Sequence, residues 1–292
     1  MRIACIGGAH IDRHWLLKQP LVPATSNPGN VTCSFGDVAR NVAENLAHLG
    51  RDVMLVSRVG DDEGGRQLIS HLESSGVDTS QVSVAPRPTG SYTAILQPDG
   101  ELVLGLADMD LYEEISPAVL ESALPRLCEC DGWFVDANLP AATLEWLAGQ
   151  PGSRWLAADA VSVHKAVRLR GILSEISPLF LNQAQAAVLD AEQARTGVMT
   201  SGAGGLVAWS GSDRRTMPAF RATPRDVTGA GDALIAATLF GLSDGLDLFR
   251  AAKLGLAAAA ITVECAESVN AHLSLKSLNA RLLLDNSHDD HA

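Results

Sequence analysis

The sequence predicts an α/β protein with a mostly parallel central sheet between two helical layers and a small β-sheet lid. Three observations carry this. Short runs rich in Val, Ile and Leu recur along the chain, and stretches of helical periodicity lie between most of them. Repeated β/α alternation gives a mostly parallel sheet covered on both faces. One interval, about residues 82–110, instead holds mixed polar and apolar strands with tight turns and no helix between them. That pattern reads as a small antiparallel sheet standing off the main one.

The elements follow in order. Ile3–Ile6 is a buried strand that runs into Gly7-Gly8, and the segment through Trp15 and Val31 adds strands to the lid. Val38, Val42, Leu46 and Leu49 fall at helical spacing, with Gly50 as the C-cap. Val53–Ser57 is the next strand and Gly64–Ser75 the next helix. Val82–Val84, Tyr92–Gln97 and Glu101–Leu106 are read as lid strands, the last two joined at Pro98-Asp99-Gly100. Strands then follow at Trp133–Asp136, Trp155–Ala158, Leu179–Asn182, Val198–Ser201 and Leu206–Trp209. Helices are expected over Pro117–Leu127, Ala141–Ala148, Ala184–Leu189, Gly231–Leu242 and Leu248–Cys265. Residues 1–284 thus read as one domain whose lid strands come from about 12–35 and 82–110. The polar tail 285–292 reads as disordered; its His288-Asp289-Asp290-His291 carries metal-ligand residue types but suits a solvated end better.

Composition narrows the function. The chain has 292 residues, 47% of them hydrophobic, enough for one large α/β domain with a full core. No run of eighteen apolar residues occurs, and the start lacks the longer apolar stretch of a signal peptide. The five cysteines suit reduced thiols in a cytoplasm better than a disulfide framework. A net charge of −12 argues against binding nucleic acid along an extended face. A small anionic ligand remains compatible, because a pocket of backbone amides suffices for it.

Asp226-Val227-Thr228-Gly229-Ala230-Gly231-Asp232 is the most informative segment. Three small residues sit between two carboxylates, and an Ala-rich apolar run follows. A tight loop opening a helix lets backbone N–H groups converge, and the helix dipole adds positive potential there. Asp232 lies at the lip of such an anion pocket, where a carboxylate can take a proton from a hydroxyl attacking a phosphoryl group. The same residues also suit a glycine-rich turn with Asp232 as an ordinary first-turn residue.

Four further segments join it. Gly36-Asp37-Val38-Ala39-Arg40-Asn41 opens the first helix, and Asn and Arg there can meet a polyhydroxylated ligand or simply cover a helix surface. Gly7-Gly8-Ala9-His10-Ile11-Asp12 ends the first strand, where open α/β sheets bind ligands, although a turn carboxylate explains Asp12 equally well. Thr200 to Gly205 follows another strand and suits either a nucleotide or a hairpin turn. Asn182-Gln183-Ala184-Gln185 follows a third and also fits a plain helix cap.

Together these segments resemble the ribokinase-like family of carbohydrate and nucleoside kinases, also called the PfkB family, from Gly7 to about Asn270. The diagnostic pieces are Gly36…Asn41…Leu49-Gly50 and Asp226…Asp232, in family order and separation. The resemblance implies that Asp232 is the catalytic base and that the Gly229, Ala230 and Gly231 amides form the anion hole. It places Asn182, Thr200, Gly202, Gly205 and Gly231 beside ATP, and Asp12, Asn41 and Asn138 against the acceptor. It implies a monovalent cation such as K+ near Asp226 and Ser268. Mg2+ would ride mainly on the ATP phosphates and water, near Gln185.

Within that family the chain is similar to the pseudouridine kinases. The pieces that carry this include Gly8–Arg13, Thr25-Ser26-Asn27-Pro28-Gly29, Arg40–Asn45, Gly90–Ala94, Asp108–Tyr112, Asp136–Pro140 and Ser162–Lys165. The implied reaction is ATP-dependent phosphorylation of the pseudouridine 5′-hydroxyl, with His10, Arg13 and Lys165 as candidates to pair the base. Another nucleoside or sugar kinase, and a non-catalytic sensor on the same fold, are the rival readings. A homodimer through the lid sheet is expected, with no nucleic-acid or membrane partner. Two positions depart from the family. Gly36-Asp37 stands where a Gly-Gly pair is usual, so a side chain must crowd the acceptor or demand another backbone angle. Gln185 replaces a glutamate linked to hydrated magnesium, keeping hydrogen bonds and losing charge.

Overall fold

A computed structural model describes residues 1–150, 152 and 154–289, with side chains described up to Leu284. The chain starts in β1 (Arg2–Ile6), leaves the main sheet through β2 (His10–Leu17) and β3 (Gly29–Gly36), and returns through α1 (Val38–His48) to β4 (Asp52–Gly60). It continues through α2 (Glu63–Ser74) and β5 (Asp78–Ala85), then re-enters the lid as β6 (Ser91–Leu96) and β7 (Leu102–Asp108). α3 (Pro117–Leu120), α4 (Leu124–Leu127), β8 (Gly132–Asp136), α5 (Ala141–Ala148) and β9 (Trp155–Asp159) follow. Next come α6 (Val163–Ala166), β10 (Leu179–Asn182), α7 (Gln183–Ala186), β11 (Thr196–Thr200), β12 (Leu206–Ser210) and β13 (Asp213–Met217). Three helices close the chain: α8 (Ala230–Ser243), α9 (Leu248–Thr262) and α10 (Leu275–Asp289).

The main sheet has nine strands in the order β13-β12-β11-β10-β9-β8-β1-β4-β5. Neighbours from β5 to β11 run parallel, and β12 and β13 add an antiparallel edge. The inner parallel strands are covered on both faces, so their residues alternate between two cores. Ile3 and Cys5 of β1 join a core built with α1, α8 and α9; Ala4 and Ile6 join the opposite one, with Leu144 and Leu147 of α5. Burial of each Ile or Leu contributes about 1.5–3 kcal/mol. α8 shows little amphipathicity because nearly all of it is buried, from Ala233 to Gly241, between the sheet side and α9.

The lid is a four-stranded sheet in the order β3-β2-β6-β7. Here the structure corrects two expectations. Val82–Val84 lies in β5, paired parallel with β4 at the edge of the main sheet, and is not a lid strand. Val82 packs on the core while Val84 is exposed, and such a half-covered edge strand has the same mixed pattern as a lid strand. The lid is also not wholly antiparallel, because β2 and β6 run parallel. A parallel pair needs a crossover, and the chain supplies one through β4, α2 and β5.

Two helices differ as well. The segment Pro117–Leu127 is broken into α3 and α4, since Pro125 has no N–H to continue a single helix. α10 runs on to Asp289, through the first part of the tail that the sequence reads as disordered; no Gly or Pro intervenes to stop it. Residues 290–292, and with them His291, lie outside the described residues. No helix among the described residues is long and apolar enough to cross a membrane.

Candidate active site

Because β1 and β8 to β11 are parallel, their carboxyl ends open along one edge, and α8 begins there. Asp136 closes β8, Asp159 closes β9, Asn182 closes β10 and Thr200 closes β11. A cavity of about 180 Å³ lies at this edge, lined by Asp159, Asn182, Gln185, Thr200, Gly231 and Asp232 among others.

The start of α8 is shaped by glycine. Gly229 caps the helix in the left-handed region, φ 76°, and a Cβ there would lie 1.8 Å from the Ser268 carbonyl oxygen. Only glycine meets both demands. The Asp226 carboxylate accepts from Thr228 N–H at 2.8 Å and holds the preceding turn. Ala230 N–H is spent on the Val227 carbonyl at 3.3 Å. The other N–H groups of a helix's first turn have no partner within the helix and face outward with the positive end of the dipole.

Asp232 sits in that first turn, partly buried, and its Oδ2 accepts from Asn41 Nδ2 at 2.7 Å. Burial is the main force on it and pushes its pKa up to about 7. The Asn41 hydrogen bond opposes this, the negative Asp37 and Asp136 add to it, and the Arg40 guanidinium opposes it again. A carboxylate that titrates near neutrality suits a general base. Asn41 is itself oriented: its Oδ1 accepts from Arg40 Nη1 at 2.7 Å, which leaves Nδ2 for Asp232. Arg40 is buried, pairs with Glu44, and donates to the Phe35 carbonyl at 2.9 Å.

The other side of the cleft centres on His10 and Asp37. His10 Nε2 lies 2.9 Å from Asp12 Oδ1, and Nδ1 lies 3.0 Å from Asp37 Oδ2. Burial alone would lower the His10 pKa, but the two carboxylates outweigh it and raise it to about 10. His10 is therefore an imidazolium. Asp37 takes φ 92° at the N-cap of α1, a region unfavourable for a residue with a Cβ by about 1–3 kcal/mol. Its side chain turns inward over Gly8 and is 4% exposed. The departure at position 37 is thus met by another backbone angle, with the side chain turned inward. Asn138, just past β8, donates to Asp37 Oδ1 at 2.6 Å and accepts from the Lys165 ammonium.

The structure gathers most residues singled out in the sequence. Asp232 lines the cavity with Asn182, Gln185, Thr200 and Gly231 and is bonded to Asn41, while His10, Asp12 and Asn138 are linked to one another through His10 and Asp37. Arg13 does not join them: the two-residue period of β2 puts it on the lid face opposite to His10 and Asp12, which corrects its place among acceptor residues. Gly202 and Gly205 form the hairpin turn between β11 and β12, next to Thr200. Asn182 and Gln185 make a reciprocal capping box at α7, with Gln185 Oε1 accepting from Asn182 N–H at 2.7 Å. Ser268 packs its carbonyl on Gly229, and Asp226 stands before it in the same loop.

Sequence reasoning gave no role to Asp136 or Asp159. Asp136 accepts from the backbone of Gly8, Ala39 and Asn138 at 3.0–3.1 Å and joins β1, α1 and β8. Burial, with Asp37 adding, raises its pKa to about 7. Asp159 is pushed up to about 8, mainly by burial and then by Asp232 and Asp136. Both end parallel strands, the same signal that singled out Asp12. Arg40, expected against a polyhydroxylated ligand or on a helix surface, is instead buried beside Glu44, and that burial has no signature in the sequence.

Comparison with known proteins agrees with this geometry. The pfkB family carbohydrate kinase profile matches residues 1–148 and 164–274. The chain belongs to the pfkB carbohydrate kinase family. It is 26% identical to the pseudouridine kinase of Escherichia coli, over 94% of this chain and 95% of that protein. It is 27% identical to the guanosine-inosine kinase of Exiguobacterium acetylicum, over 91% and 96%. Among solved structures, a carbohydrate kinase from Agrobacterium tumefaciens superposes with a TM-score of 0.88 at 36% identity, over 97% of each chain. The protein is a ribokinase-like sugar or nucleoside kinase, hence a phosphotransferase, and its lid is part of that fold.

Proposed function

We propose that this kinase transfers the γ-phosphoryl group of ATP to the 5′-hydroxyl of pseudouridine. The observation that carries phosphoryl transfer is Asp232 in the first turn of α8, near neutrality in pKa and held by Asn41. Similarity to a pseudouridine kinase along nearly the whole chain supports the acceptor.

In this reading the acceptor lies under the lid, its ribose hydroxyls against Asp12, Asn41 and Asn138 and its base toward His10 and Lys165. Asp232 takes the proton of the 5′-hydroxyl as that oxygen attacks in line. The amides at Gly229 and Gly231 face the phosphoryl oxygens, where each donor is worth about 2.7–4 kcal/mol of barrier; the Ala230 amide, expected beside them, is turned to the Val227 carbonyl instead. Asn182, Thr200 and the Gly202–Gly205 turn border the nucleotide.

In this reading magnesium is carried on the ATP phosphates and water, as strongly hydrated cations are. Bound in that way, near Gln185, Mg2+ would neutralise charge on the phosphates. Asp226 and the Ser268 carbonyl, on either side of Gly229, are the proposed neighbours of a monovalent cation such as K+. We place the protein in the cytoplasm as a homodimer. Trp15, Val31, Leu104 and Leu106 give the lid one exposed apolar face, which suits a second copy.

The test is ADP formation from ATP and Mg2+ across a panel of pseudouridine, uridine, guanosine, inosine, adenosine, ribose and ketoses. Pseudouridine is expected to give the highest kcat/KM. A strong preference for guanosine or inosine would move the acceptor to the class of the second relative, and binding without turnover would favour a sensor. Light scattering of the purified protein reads the dimer.

A further inference from the structure

We propose that Asp37 is a positioning residue of the acceptor side, fixing the His10 ring and the Asn138 amide in one orientation each and so setting acceptor affinity. This rests on the kinase reading above. Asp37 holds a left-handed backbone angle, φ 92°, that glycine would adopt without strain. Its carboxylate is fully engaged there. Oδ1 accepts from Val38 N–H at 2.9 Å and Asn138 Nδ2 at 2.6 Å, and Oδ2 lies 3.0 Å from His10 Nδ1. The Tyr112 hydroxyl, which accepts from Ala9 N–H at 3.0 Å, also hydrogen-bonds Asp37.

These bonds dictate what the cleft presents. With Nδ2 on Asp37, Asn138 must turn its Oδ1 outward, and that oxygen receives the Lys165 ammonium. With Nδ1 on Asp37, His10 must aim Nε2–H at Asp12 Oδ1. Asp12 Oδ2 is then left without a hydrogen bond among the described residues and can accept from an acceptor hydroxyl. The charged groups facing His10 are Asp12 and Asp37; those facing Asp37 are His10, Lys165, Asp136 and Asp232. Asp37 itself does not reach the cavity, and the contact of Asp232 is Asn41. The Asp37 charge helps to raise the Asp232 pKa, so its influence on acceptor binding is isolated above that transition, where Asp232 is ionised with or without it.

Two variants test this. Asp37→Asn keeps the shape and removes the charge; Asp37→Gly relieves the backbone and deletes the side chain. Kinetics at about pH 8.5, above the Asp232 transition, use whichever acceptor the wild-type enzyme turns over. We expect acceptor KM to rise about tenfold or more in both, the effect of losing a hydrogen-bonded alignment, with kcat and ATP KM within about threefold. Nitrogen NMR of the histidine ring, assigned through His10→Gln, should show an imidazolium in the wild type and a neutral ring in Asp37→Asn at the same pH. Unchanged acceptor KM, or a loss confined to kcat, overturns the proposal, as does a His10 ring that stays charged. The NMR reading needs no turnover. Failure to find any acceptor would sink the kinase reading, while the ring state would still decide whether Asp37 fixes His10.

Discussion

Asn41 Nδ2 donates to Asp232 Oδ2 at 2.7 Å, joining the first helix to the start of α8 across 191 positions of sequence. The bond favours the ionised carboxylate against the burial that raises its pKa to about 7. A base must be ionised, so kcat/KM should rise with pH through about 7 and then level. Asn41→Leu removes the donor, and this limb should move upward by about one pH unit, from a charge-assisted bond of roughly 1.5 kcal/mol. A limb that stays in place or moves down would contradict the arrangement.

Asp159 should make the fold weaker at alkaline pH. Its carboxyl titrates at about 8 in the folded protein against an ordinary 3.8. The folded state keeps a proton that the unfolded chain has released, so stability from this group is full below about pH 4 and is lost as pH rises to about 8. Asp159→Asn retains an oxygen for Val161 N–H, which Asp159 Oδ1 accepts at 2.7 Å. Its Tm should exceed that of the wild type at about pH 8, and the gap should close near pH 4. A wild type that is the more stable at pH 8 would refute this.

Gly229 and Gly231 should respond oppositely to one methyl group. At Gly229 a Cβ meets the Ser268 carbonyl at 1.8 Å on a backbone with φ 76°; at Gly231 it meets nothing within 4 Å. Gly229→Ala should cost about 3 kcal/mol or more in denaturant unfolding, and Gly231→Ala less than about 1. Gly231→Ala should still lose activity, because its methyl enters the cavity beside Asp232. Equal stabilities for the two variants would count against the loop geometry.

The Arg40–Glu44 pair is buried, with both side chains at most 5% exposed. Glu44→Gln leaves the guanidinium without its countercharge, and unfolding free energy should fall by roughly 3–5 kcal/mol. A loss below about 1 kcal/mol would show that the pair contributes little. His71, which lies 2.7 Å from Glu44 Oε1, is a partner that the variant also disturbs.

Much of this was legible in the sequence, for local reasons. Most of the parallel strands are short apolar runs bounded by polar or glycine residues, and the loop at Gly229–Gly231 needs small residues wherever it occurs. β5 was misplaced because an edge strand and a lid strand share one pattern, and pairing with β4 is settled only in three dimensions. Arg13 was misassigned because motif order ignores the pleat that turns it away from Asp12. Asp37 showed as an anomaly beside Gly36. That its side chain turns inward to His10 and Asn138 depends on β1, β8 and α1 meeting, which no local pattern reveals. The same holds for Arg40, whose partner Glu44 is one turn away but whose burial comes from the whole fold.

The most direct test of Asp232 as the base is Asp232→Asn, assayed for ADP formation with ATP, Mg2+ and the best acceptor of the panel. Asn keeps the shape and the contact with Asn41 but cannot take the proton. The prediction is a fall in kcat of about 10²–10⁴ with acceptor affinity retained in a binding assay. Turnover within about tenfold of the wild type, at unchanged stability, would contradict that role.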